Sequence, residues 1–214
     1  MNDTPCRTIP VLGRRALLGL GALVLARPAL AAYDPNTDPL VGDVRAYLAA
    51  LTTLKATFLQ VNHMGDVAEG VVYLARPDRL RFEYQQPQGL LLVANGASLR
   101  VYEPEIDTVT ELPFADTPAS LILREDVDLG GTIQVVSVGL DQGVLTMAMV
   151  HRDNPGLGAL SVLFQAEPLE LKQWTVVDAQ GLTTRVTLFD TQTGLPLDPA
   201  LFDLARLPLT PKQK

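Results

Sequence analysis

The chain has 214 residues, 47% of them hydrophobic and 19% charged, and carries a net charge of −7 at neutral pH. Such a balance repels polyanions, and no lysine- or arginine-rich stripe overrides it locally, so nucleic acid is excluded as an expected partner. A single cysteine, Cys6, rules out a disulfide framework within the chain.

At the start, Arg14-Arg15 precede an apolar run from Ala16 to Ala26, and Ala29-Leu30-Ala31 supply small residues at cleavage-site positions. Residues 1–31 therefore read as a cleaved secretory leader, exported by the general or the twin-arginine route. The run is shorter than the roughly 20 residues that a bilayer crossing needs, and Arg27-Pro28 interrupt it. Cleavage after Ala31 would leave one domain, 32–214, without a cysteine to carry a lipid anchor. Losing four arginines and one aspartate would take its net charge from −7 to −10.

After the turn-like DPNTDP, the residues Val44, Tyr47, Leu48 and Leu51 recur at three-to-four spacing and predict an amphipathic helix over 40–54. The period then shortens to two. Strands are predicted over 56–61, 70–76, 80–84, 90–93, 99–103 and 108–112, with Asn95-Gly96 as the strongest hairpin signal. A second helix is predicted over 118–124, with Thr117 as its N-cap and Pro118 in its first turn. Five more strands follow, over 132–138, 144–150, 160–165, 169–178 and 183–190. Connections this short cannot make parallel crossovers, so the fold class is mainly β with short helices: one large antiparallel sheet, curled into a barrel or an incomplete barrel.

Chemistry-bearing motifs are missing. The sequence holds no nucleophile elbow, phosphate loop or dinucleotide fingerprint, and His63 and His151 lie far apart beside turns, so neither an enzyme nor a metal or other cofactor is expected. The acidic groups around Glu103–Glu111 and Glu125–Asp128 lack the spacing of a calcium loop and read as a solvated rim.

Period two places Val72, Leu74 and Arg76 on one face of their strand and Leu80, Phe82 and Tyr84 on one face of the next, with Arg79, Arg81 and Glu83 turned outward. By pattern alone, such a face is a packed core or the wall of a binding bed. The stretch EGVVYLARPDRLRFEYQQPQGLLLVANGASLRVYEP, the later TPASLILRE and the earlier LAALTTLKATFLQ, with Phe58 and Gln60, together resemble the outer-membrane lipoprotein carrier family, LolA. The late hairpin LKQWTVVDAQGLTTRVTL extends the resemblance to about Leu188, whereas the segment after Phe189 is not matched to it.

The resemblance implies an incomplete barrel covered by helices and enclosing an apolar cavity that takes the acyl chains of lipoproteins in transit across the periplasm. It implies partners as well: an inner-membrane ABC transporter that loads a monomeric carrier, and an outer-membrane acceptor lipoprotein that unloads it. Leu80, Phe82, Tyr84, Leu91 and Val93, together with Val72 and Leu74, are expected to line or border the cavity, with Val44, Leu48 and Leu121 closing it from above. Arg76 matches the family's functional arginine and is expected to latch a lid helix by its backbone carbonyls. A carrier of another lipid or glycolipid, or a lipid-sensing regulatory module, would share this fold.

Overall fold

The structure, a computed structural model, describes residues 34–207. The expected leader, its cleavage point and the last seven residues lie outside them.

Helix α1 (Pro39–Ala50) starts where Asp38 accepts a hydrogen bond from the Leu40 N–H at 2.9 Å and Pro39 presets the first turn. It buries Val41, Val44 and Leu48 on one stripe. The helix ends earlier than its periodicity predicts, because Leu54 already belongs to strand β1 (Thr53–Val61) and points into the sheet's buried face. Strand pairing thus overrides helical spacing from Thr53 onward.

Eleven strands form one antiparallel sheet. The first six are β1, β2 (Val67–Ala75), β3 (Arg79–Gln86), β4 (Leu91–Asn95), β5 (Ser98–Glu103) and β6 (Thr108–Pro113). The others are β7 (Ile133–Asp141), β8 (Val144–His151), β9 (Ala159–Ala166), β10 (Leu169–Val177) and β11 (Thr183–Thr193). The spatial order is β6-β5-β4-β3-β2-β1-β11-β10-β9-β8-β7, so β1 and β11 join the two meanders at the centre, and β6 and β7 are free edges. The sheet does not close into a barrel. Irregularities at Lys55/Thr57, Glu69/Gly70, Val135/Ser137 and Leu171/Gln173 shift its register, and such bulges bend a sheet. At the hairpin predicted at Asn95-Gly96, Gly96 takes φ +98° and Asn95 Oδ1 accepts from the N–H groups of Ala97 and Ser98.

The connection from β6 to β7 runs across the sheet's buried face and links its two free edges. It holds a 3-10 turn (Phe114–Asp116) and helix α2, which covers only Ser120–Leu123. Thr117 does not cap this helix: its hydroxyl donates to the Phe114 carbonyl at 2.7 Å, and the helix begins after Ala119. All four α2 residues are buried.

Beyond β11 the chain turns back over the opposite face of the sheet in two 3-10 turns, Pro199–Phe202 and Leu204–Arg206. Leu204 and Leu207 cover Val93, and Leu91 borders the same cluster. Arg81 donates to the Leu201 carbonyl at 2.9 Å, Arg100 donates to the Leu204 carbonyl at 3.0 Å, and the Arg79 guanidinium lies over the Phe202 ring. The outward arginines of β3 and β5 hold this terminal segment rather than facing only water.

Candidate functional site

The face of the sheet beneath α2 is apolar by register. Leu74 pairs with Leu80, Val72 with Phe82, and Phe58 with Gly70, which in turn pairs with Tyr84. A Cβ on Gly70 would lie 2.0 Å from the Glu83 carbonyl oxygen, so only glycine fits there. With no side chain between them, the Phe58 and Tyr84 rings meet edge to face across β2 at 5.0 Å. Phe82 adds contacts to Phe58 at 4.9 Å and to Trp174 of β10 at 6.1 Å.

Eight of the sequence-predicted residues gather in this one cluster: Val44 and Leu48 from α1, Val72 and Leu74 from β2, Leu80, Phe82 and Tyr84 from β3, and Leu121 from α2. Leu91 and Val93 do not join them. In the β3/β4 register Leu91 pairs with Glu83 and Val93 with Arg81, which puts both on the outer face; Leu92 and Ala94, paired with Phe82 and Leu80, take the inner one. This is a correction to the expected wall, and its reason is physical. β4 is covered on both sides, so both of its faces are apolar and alternation carries no sign.

Sequence reasoning also missed Ile122, Leu123, Leu160 and Trp174, which close around the same space. Trp174 and Leu171 are both buried although an odd number of positions separates them, because the irregularity at Leu171/Gln173 breaks the period of two. Leu145, Met147 and Met149 of β8 keep the period intact and were readable as inner-face residues.

The space enclosed by α2, β2, β3 and β10 amounts to about 40 Å³. That is room for roughly three waters, not for an acyl chain. Leu121, Ile122 and Leu123, each less than 7% exposed, pack against this apolar face.

What holds α2 down is the turn after β2. Arg76 donates through one terminal nitrogen to the Arg124 carbonyl and, at 3.2 Å, to the Glu125 carbonyl, while the Asp78 N–H donates to the Leu123 carbonyl at 2.8 Å. Three successive carbonyls at the C-terminal end of α2 are thereby satisfied. The charge sits where the exposed carbonyls of a helix end favour a cation. The fit is incomplete, since Arg76 Nε and Asp78 Oδ1 are buried without a hydrogen-bond partner. Burial pushes the Arg76 guanidinium below its ordinary value. It also lifts the Asp78 carboxyl, against the opposing pull of Arg124 and Arg76.

A second clamp holds the far end of the crossing segment. Arg45 of α1 donates to the Leu129 carbonyl at 2.8 Å, and Arg152 donates to the carbonyls of Gly130, at 2.7 Å, and Gly131.

Among the described residues, no group of His, Cys, Asp and Glu side chains could hold a metal ion, and no helix is long and apolar enough to cross a membrane. The site offers an apolar sheet face, the buried side chains of α2 seated on it, and a polar fastening at Arg76 and Asp78.

A family model described as outer membrane lipoprotein carrier protein LolA matches residues 49–205. The outer-membrane lipoprotein carrier protein of Methylococcus capsulatus is 27% identical over 171 residues, covering 76% of this chain and 81% of that protein. Its counterpart from Methylibium petroleiphilum is 29% identical over 198 residues, covering 86% and 92%. Among solved structures, a DUF1329 family protein from Desulfovibrio piger superposes with a TM-score of 0.51 at 11% identity, covering 81% of this chain and 99% of that one, a likeness of fold alone.

Proposed function

The chain belongs to the outer membrane lipoprotein carrier protein LolA family, and from that premise we propose that it ferries lipoproteins across the periplasm with their acyl chains laid on the inner face of the sheet. It is a lipoprotein carrier; the family's members carry rather than catalyse. The observation that carries the binding mode is the plug of Leu121, Ile122 and Leu123 seated on an apolar bed and fastened by Arg76.

Magnitudes favour an exchange of plug for cargo. Each methylene taken out of water contributes about 0.8 kcal/mol, so ten of them gain about 8 kcal/mol. Exposing the three plug side chains costs about 1.5–3 kcal/mol each, or roughly 5–9 kcal/mol together. The two are close, so the plug competes with the lipid and keeps the complex reversible. A bare apolar cavity would bind several chains too tightly to release them.

Arg76 is the latch of this exchange: it holds the empty form shut and lets go when acyl chains displace α2. The sequence contains no nucleotide-binding loop, so loading draws its energy from an inner-membrane ABC transporter, and an outer-membrane acceptor lipoprotein takes the cargo off a monomeric carrier. Residues 1–31 direct export, and the mature chain begins near Ala32.

The deciding experiment is purification from the periplasm followed by mass spectrometry of the protein and whatever comes with it. A mature chain starting near Ala32 and carrying stoichiometric lipidated peptide is the expected result. A chain retained in the membrane with its leader, or a periplasmic chain that never acquires lipopeptide when the transporter is present, would overturn the proposal.

A further inference from the structure

Apart from its aromatic tips, the bed is hydrocarbon, yet one side-chain pair on it is polar. The Tyr84 hydroxyl donates to Gln60 Oε1 at 2.8 Å, reaching from β3 to β1 over the side-chain-free Gly70. Tyr84 is only 7% exposed, and burial pushes its phenol up to about 12, so it stays a neutral donor. The bond engages the oxygen of the Gln60 carboxamide, which leaves the amide nitrogen's two hydrogens to be used elsewhere.

Gln60 pairs with Val186 on β11. Gln60 is half-buried, so its amide lies at the margin of the apolar surface rather than in its depth. The level is also remote from the latch: Gln60 pairs with Ala68, near the opposite end of β2 from Arg76. The bed therefore has hydrocarbon in the middle, a fastening at one end and the Gln60 carboxamide at the other.

Folding does not require this arrangement. A phenylalanine at position 84 would keep the ring contacts, and a buried neutral hydrogen bond contributes little net stability once desolvation is counted. A ligand of acyl chains joined through carbonyls does require it. Its ester or amide oxygens lose water on entering and bind poorly unless donors wait at the end of the hydrocarbon.

We infer that Gln60, oriented by Tyr84, forms a carbonyl-reading rim that selects acyl-ester or acyl-amide lipids over plain hydrocarbon of the same length. The inference rests on the carrier reading and adds to it the residues that recognise the chemical junction between acyl chain and headgroup.

The test uses two synthetic probes with the same peptide and chain length: a diacylglyceryl-cysteinyl peptide with two ester carbonyls, and its dialkyl-ether analogue with none. The wild-type protein should bind the diester about fivefold more tightly than the diether, the effect of one or two neutral hydrogen bonds. In Gln60→Met the diester should fall to the level of the diether, whose affinity stays unchanged. Tyr84→Phe, which keeps the ring and frees the carboxamide to turn, should lose part of the preference. Equal binding of the two probes by the wild type, or an undiminished preference in both variants, would overturn the rim while leaving the carrier reading intact. Binding of neither probe by the wild type would overturn the carrier reading, and the rim with it.

Discussion

Arg76→Leu isolates the latch from the bed it guards. The substitution removes the hydrogen bonds to the Arg124 and Glu125 carbonyls and leaves the Asp78 N–H on the Leu123 carbonyl in place. A charge-assisted hydrogen bond contributes about 1.5–3 kcal/mol in a well-satisfied site. This site is not one, because Arg76 Nε is buried without a partner and the side chain remains half-buried. Discounting for solvent and for the desolvated nitrogen leaves a net of about 1 kcal/mol, or about fivefold in the ratio of closed to open protein. If, as proposed, ligand binds only the open form, its apparent affinity should rise by the same factor, about fivefold, and its release to an acceptor should slow. Stopped-flow binding of an environment-sensitive fatty acid, alongside amide hydrogen exchange over Ser120–Arg124, reads both sides of the equilibrium. Faster exchange in the helix with unchanged affinity and release would refute the reasoning, because the fastening would then be structural without gating entry.

Three further outcomes follow from the same geometry. The raised phenol of Tyr84 contributes stability that is fully present below its unfolded value of about 10 and is lost as pH rises through about 12; the unfolding free energy from urea titrations should fall across that window in the wild type, and by on the order of 2 kcal/mol less in Tyr84→Phe. Gly70→Ala drives a Cβ toward the Glu83 carbonyl at 2.0 Å and should destabilise at the upper end of the about 1–3 kcal/mol range for overpacking, read as a drop in Tm. Arg100→Met withdraws the donor from the Leu204 carbonyl and should speed amide exchange over 199–207 without changing fatty-acid affinity; unaltered exchange would mean that the contact of Leu204 and Leu207 with Val93 alone holds the segment.

Most of the sheet could be read in advance because its inner face alternates cleanly. Leu80, Phe82 and Tyr84 are buried at every second position of β3, as are Leu145, Met147 and Met149 in β8. Alternation failed where a second cover or a bulge intervened. Leu91 and Val93 were assigned to the wrong face because the terminal segment makes the outer side of β4 as apolar as the inner. That cover could not be foreseen: the segment after Phe189 packs in 3-10 turns through backbone carbonyls met by Arg81 and Arg100, an interaction between partners more than a hundred positions apart that leaves no periodic trace. Trp174 went unassigned because the irregularity at Leu171/Gln173 resets the count. Helix α2 came out shorter than predicted because the segment is held by Arg76, Asp78, Arg45 and Arg152 rather than by its own propensity.

The crossing segment is continuous with both free edges of the sheet, β6 and β7, and so behaves as the string of a bow whose limbs are the two halves of the sheet. Lifting α2 off the bed is therefore not a hinged motion with one end loose. The limbs can spread only as far as the string lengthens, and the slack comes from unwinding α2, where each of its four residues gains about 2 Å on passing from helical to extended form. Arg45 and Arg152, by gripping the string at 129–131, shorten the length that can pay out. If α2 lifts to admit cargo as proposed, residues inserted between Thr117 and Arg124 should admit bulkier chains, and residues removed there should restrict the carrier to slimmer ones.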